Sequence, residues 1–235
     1  MTRQSGGWIK TTLYQFQGNS DAGAAFGTPV LDDEGNLYGV GWSSTNTAIY
    51  ELSPGASRTW NFNIVFDFKG IISNGAILVA DGNIYGVIGS ATSYLNGTVY
   101  RVSIGGGLDG HGFTPSSPLN ILYRFTGGAD GASPVAVTRD GAGNLYGTTN
   151  SGGSCSSFSS GCGVIFQLTP SAGSWTESVL YDFQLAYGQP SPLIVDSSAN
   201  LYGANAWGGS DGNGFIFEYS PNATSSAPRL QNGVR

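Results

Sequence analysis

Charge is scarce in this chain: only 10% of its 235 residues are charged, and the nine Lys and Arg are scattered. A nucleic-acid reader needs a basic stripe to neutralise phosphates, so that class is excluded. The same lack disfavours an anionic membrane surface, and the net charge of −6 reads as a solubility device. Histidine is scarcer still. His111, within Asp109-Gly110-His111-Gly112-Phe113, is the single imidazole, so a Ser-His-Asp hydrolase would depend on it alone. It is read as a surface-loop histidine. No apolar run is long enough to span a bilayer, which argues against membrane insertion. The start, Met1 to Gly7, lacks the apolar core of a secretory signal.

Cysteine is limited to Cys155 and Cys162, seven residues apart in a Gly- and Ser-rich stretch. No other Cys or His lies nearby, which disfavours zinc. The two are expected to pair as a disulfide stapling a loop tip. A disulfide implies an extracellular or cell-envelope location, in tension with the missing signal.

Glycine, with 38 residues, and aromatics, at 12%, are plentiful, which suits tight turns between short strands. One tetrapeptide recurs: Asn36-Leu37-Tyr38-Gly39, Asn83-Ile84-Tyr85-Gly86, Asn144-Leu145-Tyr146-Gly147 and Asn200-Leu201-Tyr202-Gly203. From Asn36 to Asn83, Asn144 and Asn200 the steps are 47, 61 and 56 residues, room for a four-stranded antiparallel unit each. Each unit has four apolar segments with period-two alternation between Gly, Asn, Asp, Ser and Pro turns.

The fourth segment of a unit appears as Trp60–Phe68, Leu122–Phe125 and Trp175–Phe183, and again at the start as Trp8–Phe16. The last unit stops after Phe215–Tyr219, so it lacks one. Pairing the surplus first strand with the deficient last unit would close a ring and remove sheet edges. The expectation is an all-β, four-bladed β-propeller with four antiparallel strands per blade, closed by the N-terminal strand. The single domain spans residues 8–221, residues 1–7 and 222–235 are flexible tails, and the chain is a monomer.

The Gly-Asn-Leu-Tyr-Gly strand, the Trp…Leu-Tyr-x-Phe strand and the Gly-x-Val-Phe-x-Leu-Thr-Pro-like strand resemble the bacterial GloVer tandem repeats. A weaker similarity runs to two-component-regulator propeller repeats. The resemblance covers residues 8–221 and implies a propeller from a secreted or surface-anchored protein, but no catalytic motif. It implies that the Pro134-type strand is innermost and the Trp175-type strand outermost. The sequence departs from the pattern at Ala199, where Gly is usual, and at Ser117, where Trp is usual.

Function on a rigid scaffold is carried by loops. The loops assigned to one face hold the aromatics that break the repeat: Phe26, Trp42, Tyr94, Phe158, Tyr187 and Trp207. Rings on polar, Gly-rich loops suit a glycan or other surface polymer, whose C–H faces stack while Asp and Asn take hydroxyls. The plain alternative is that Trp42 and Trp207 merely cap their blades. Asp21, Asp130 and Asp211 lie on the same face. Two of them would suit glycoside cleavage, and all three would suit Ca²⁺ or a metal that activates water for lactone or phosphoester hydrolysis. No cofactor is expected otherwise. A binding module is the favoured reading, with a hydrolase as the alternative.

Overall fold

The computed structural model describes residues 2–4, 7–18, 21, 23–42, 47–68, 73–89, 96–104, 119–155, 161–184, 190–209, 211–221 and 229–230. Among them the only helix is a single 3₁₀ turn at Ala56–Arg58, and the rest of the regular structure is β. Four antiparallel sheets of four strands follow one another along the chain. Sheet one comprises β3 (Ala24–Leu31), β4 (Leu37–Trp42), β5 (Thr47–Pro54) and β6 (Trp60–Asp67). Sheet two comprises β7 (Ser73–Ala80), β8 (Asn83–Ile88), β9 (Thr98–Ser103) and β10 (Asn120–Arg124). Sheet three comprises β11 (Ala132–Arg139), β12 (Leu145–Ser151), β13 (Val164–Ser171) and β14 (Ser174–Asp182). Sheet four comprises β15 (Ile194–Val195), β16 (Leu201–Asn205), β17 (Phe215–Tyr219) and β18 (Arg229–Leu230). A separate hairpin joins β1 (Thr2–Gln4) to β2 (Gly7–Ile9).

The recurring tetrapeptide is explained by packing. Gly39, Gly86, Gly147 and Gly203 lie opposite Tyr50, Tyr100, Phe166 and Phe217 of the third strands. Each ring lies across its glycine, where any Cβ would collide with it. The opposite face of every ring is then capped by the Phe that ends the preceding fourth segment. Phe68 meets Tyr100 at 5.3 Å, Phe125 meets Phe166 at 5.0 Å and Phe183 meets Phe217 at 5.7 Å between ring centroids. All three are edge-on, the arrangement aromatic quadrupoles prefer.

Three apolar clusters result, one at each junction between successive sheets. Tyr38, Ile49, Ile84 and Tyr100 fill the first, Tyr85, Val99, Leu145 and Phe166 the second, and Tyr146, Ile165, Leu201 and Phe217 the third. The first strands β3, β7, β11 and β15 approach one another in sequence order, as inner strands should. In sheets one to three the pairing of first with second strand slips register once, between Phe26 and Val30, Ser73 and Ile77, and Pro134 and Val137. A bulge at this edge increases local twist and bends the strand.

One expectation needs correction. Trp8–Phe16 does not pair with Phe215–Tyr219. Both edges of β17 are occupied, by β16 and by β18 from the C-terminal tail. Gly7–Ile9 pairs with Thr2–Gln4 instead. The physical reason is that the free edge of β17 is already hydrogen-bonded to Arg229–Leu230. Tyr14 stacks on Phe62 at 4.3 Å and Phe16 meets Tyr50 edge-on at 5.1 Å, so the segment is held over the face of sheet one. It takes the place there of a preceding sheet's fourth-strand end.

Candidate functional site

Of the six aromatics that break the repeat, Phe26, Trp42 and Trp207 fall among the described residues, and each is about half exposed. Tyr94, Phe158 and Tyr187 lie outside them, as do His111 and its loop. Phe26 is directly opposite Val40 across β3 and β4, and Trp42 is two residues beyond Val40. Side chains alternate along a strand, so Phe26 and Trp42 project from one face as diagonal neighbours, about 7–8 Å apart. Ala24 is opposite Trp42, which leaves room beside the indole. Trp207 follows β16 at the corresponding end of sheet four, in a turn closed by the Gly208–Asn213 bridge. Its backbone N–H donates to Asn205 Oδ1 at 3.3 Å. In sheets two and three the positions matching Trp42 are Gly89 and Asn150, so packing within the repeat does not require a ring there.

The carboxylates have different surroundings. Asp21 accepts from Tyr14 Oη at 2.7 Å and from the Gln17 N–H at 2.8 Å, both on Oδ2. Asp130 repeats this with Tyr123 Oη at 2.9 Å and the Thr126 N–H at 2.8 Å, and its Oδ1 also accepts from Thr126 Oγ1. Both are therefore the clasp of a Tyr-x-Phe turn, with Tyr and Asp seven apart. At the passage from sheet one to sheet two, Phe66 and Ser73 stand at these places, so both partners are absent there. The Asp21 hydrogen bond, with lesser help from burial, raises the Tyr14 hydroxyl to about 12. Burial first, then Asp130, pushes Tyr123 up as well. Gln17 replaces Thr126 in the first clasp, which leaves Asp21 Oδ1 buried without a partner. Asp211 is exposed in the turn after Trp207. Among the described residues no group of three or more His, Cys, Asp or Glu could hold a metal ion.

The opposite ends of the sheets carry a second set of clasps. Asp32, Asp140 and Asp196 each take the backbone N–H and side-chain amide of the repeat Asn at 2.7–2.9 Å. Tyr146 and Tyr202 add their hydroxyls at 2.9 and 3.2 Å. Burial raises the Asp32 and Asp140 carboxyls, but these bonds outweigh it and hold both below the usual carboxylate range. In sheet two the turn is shorter, and Asp81 instead forms an ion pair with Arg139 of sheet three. An acidic groove of about 540 Å³ lies here between sheets one and two, lined by Asp32, Glu34, Glu51 and Asp81.

Two features were not anticipated. The expected cystine is present, Cys155 to Cys162 with Cα atoms 5.7 Å apart, but its burial was not foreseen. Both residues are buried in the junction of sheets three and four, beside Tyr146, Phe183 and Leu193. The second is Glu177. It is opposite Leu168, as Phe62 is opposite Leu52, so a carboxylate stands where the first sheet has a ring. Burial, and secondarily the charge of Asp130, pushes Glu177 up to about 7. Its Oε1 is buried without a partner. The signal was available in sequence as Trp60-x-Phe62 against Trp175-x-Glu177.

Comparison with known proteins bears on this scaffold. A family model described as the Gloeobacter/Verrucomicrobia repeat matches residues 45–231. No curated protein matches the chain. Among solved structures, a puromycin-hydrolysing peptidase from Mycobacterium tuberculosis is similar at TM-score 0.55 and 16% identity, over 89% of this chain and 30% of that one. A putative gluconolactonase is similar at TM-score 0.48 and 14% identity, over 80% of this chain and 61% of that one. The chain thus spans less than a third of the peptidase's length. At 16% identity the likeness to the peptidase concerns the fold alone.

Proposed function

The chain belongs to the Gloeobacter/Verrucomicrobia repeat family, and from that premise we propose that it is an exported bacterial β-propeller module that binds a glycan or other surface polymer. The ligand lies across the sheet ends that carry Phe26, Trp42 and Trp207. One observation carries this reading: two rings, each about half exposed, stand side by side on one face, and the repeat leaves the Trp42 position without a ring in sheets two and three. Such a platform stacks on the C–H face of a sugar, and neighbouring polar groups supply orientation. Export is supported by the cystine, since disulfides persist in oxidising compartments.

Titration of a polysaccharide panel against the protein, followed by tryptophan fluorescence and calorimetry, tests the proposal. Trp42→Ala and Trp207→Ala are each expected to weaken binding at least about tenfold, in line with the loss of one stacking ring. A panel without any binder, or binding indifferent to both substitutions, overturns it.

A second reading rests on Glu177. A half-buried carboxyl raised to about 7, with one oxygen left without a partner, is poised as a general acid. Under this reading Glu177 donates the proton to a leaving group. Hydrolysis of glycoside or lactone substrates would then fall at least about 100-fold in Glu177→Gln. Full turnover in that variant removes the reading.

A further inference from the structure

The four sheets are built on one register, so equivalent positions can be compared directly. On the face that each sheet turns toward its successor, the third strand places Ile49, Val99, Ile165 and Ile216 opposite Val40, Val87, Thr148 and Ala204. Ile49, Val99 and Ile165 are 0% exposed, each sealed by the next sheet, whereas Ile216 is 77% exposed. Ile194, opposite Tyr202 on the same face, is exposed as well. Among the described residues, sheet four therefore carries the apolar face of an interior junction with no sheet against it.

Sheet one has the converse deficiency. Ile84, Leu145 and Leu201 follow the repeat Asn and are buried against the preceding sheet. Leu37, their counterpart, is only half-buried, and Leu31 opposite it is 61% exposed. Among the described residues, this side is covered by the Tyr14–Phe16 segment over Tyr50 and Phe62, the place of a preceding sheet's fourth-strand end. The outer edge of sheet four, meanwhile, holds two residues, Arg229 and Leu230.

We propose that a second copy of this chain covers both faces, packing its sheet one on the free face of sheet four and its sheet four on the free face of sheet one. The contact continues a series already formed three times within the chain, so its chemistry is that of the existing junctions: Ile216 entering an apolar surface around Leu31 and Leu37. Such a contact is head-to-tail, and a head-to-tail contact must either close or run on as a filament. Two copies give eight sheets, the upper end of the usual propeller range of four to eight blades, whereas three copies would exceed it. The pair therefore closes into one ring, replacing closure of a single chain on itself.

Sedimentation equilibrium and native mass spectrometry of the full chain test this. The expected mass is twice 24.3 kDa. Ile216→Glu and Leu31→Glu, each an unpaired charge placed in an apolar contact, are each expected to weaken the pair at least about 100-fold. Unchanged near-ultraviolet circular dichroism would show that the variants fold, and Val179→Glu, on the outer strand β14, should leave the pair intact. An equimolar mixture of the two damaging variants is expected to recover a heterodimer, because one of its two junctions is then wholly unmodified. A monomer at all concentrations, an open-ended series of larger species, a pair indifferent to Ile216→Glu, or a mixture that stays monomeric overturns the proposal.

Discussion

Sheets three and four share a register residue for residue, yet one is packed on both faces and the other on one. Ile165 and Ile216 face the same way, opposite small residues of the second strand. Ile165 is sealed by sheet four, while Ile216 is left in the open. Burial in a repeat array thus belongs to the junction between units and not to the unit. A side chain's contribution to stability here depends on the neighbouring sheet packed against it.

The sharpest way to break that comparison is truncation at both positions. Ile165→Ala is expected to cost about 2–5 kcal/mol, the usual range for emptying a packed core site. Ile216→Ala should cost less than about 0.5 kcal/mol, measured by urea unfolding at concentrations where chains are separate. Equal losses would show that sheet four is covered within the single chain.

Backbone strain offers a second, smaller contrast. Gly143 closes the Asp140 turn of sheet three at φ +92°, while the matching residue in sheet four is Ala199 at φ +62°. An L-residue there is penalised by about 1–2 kcal/mol. Ala199→Gly should therefore raise stability by roughly 1 kcal/mol, since glycine's extra freedom when unfolded offsets part of the gain. Thermal melts would check it, and no gain would mean that the turn relaxes at no cost.

The two Tyr–Asp clasps give a third test. Asp130 has the Thr126 hydroxyl on its second oxygen, and Asp21 has none because Gln17 stands there. Gln17→Thr should add about 0.5–1.5 kcal/mol, one net hydrogen bond, read from the shift in urea midpoint.

The smallest effect sharpens the contrast between Phe62 and Glu177. A carboxyl raised from 4.5 to about 7 in the folded state binds its proton more tightly there than when unfolded. Stability is therefore undiminished below about pH 4.5 and falls as pH rises toward 7. Glu177→Gln should abolish that decline, so the variant gains on the wild type at pH 8 and not at pH 4. The clasped Asp32 and Asp140 act in the opposite window, their contribution being lost only as pH falls below the ordinary carboxylate range. An identical pH profile for variant and wild type would place Glu177 in solvent.

Some of the site was open to inspection of the chain, and some was not. The spacing of Tyr14 from Asp21 and of Tyr123 from Asp130 is the same seven residues, and a carboxylate tied into a recurring turn is a poor candidate for chemistry. Reading the three Asp as one group hid that periodicity. Glu177 escaped notice because a lone Glu on an alternating strand looks solvent-facing until the fourth segments are superimposed. Trp42 and Phe26 were identifiable as departures from the repeat, but their adjacency comes from strand pairing and register.

What the amino-acid order determined by itself is local and repetitive: four strands to a unit, a glycine beneath each third-strand ring, an Asp–Asn turn, a phenylalanine to cap the next ring. These arise from contacts whose partners lie within a unit or at its border. Which ends meet was decided only in three dimensions, because two apolar faces attract without regard to sequence distance. There the free edge of β17 was taken by Arg229–Leu230, and Tyr14 and Phe16 packed on sheet one.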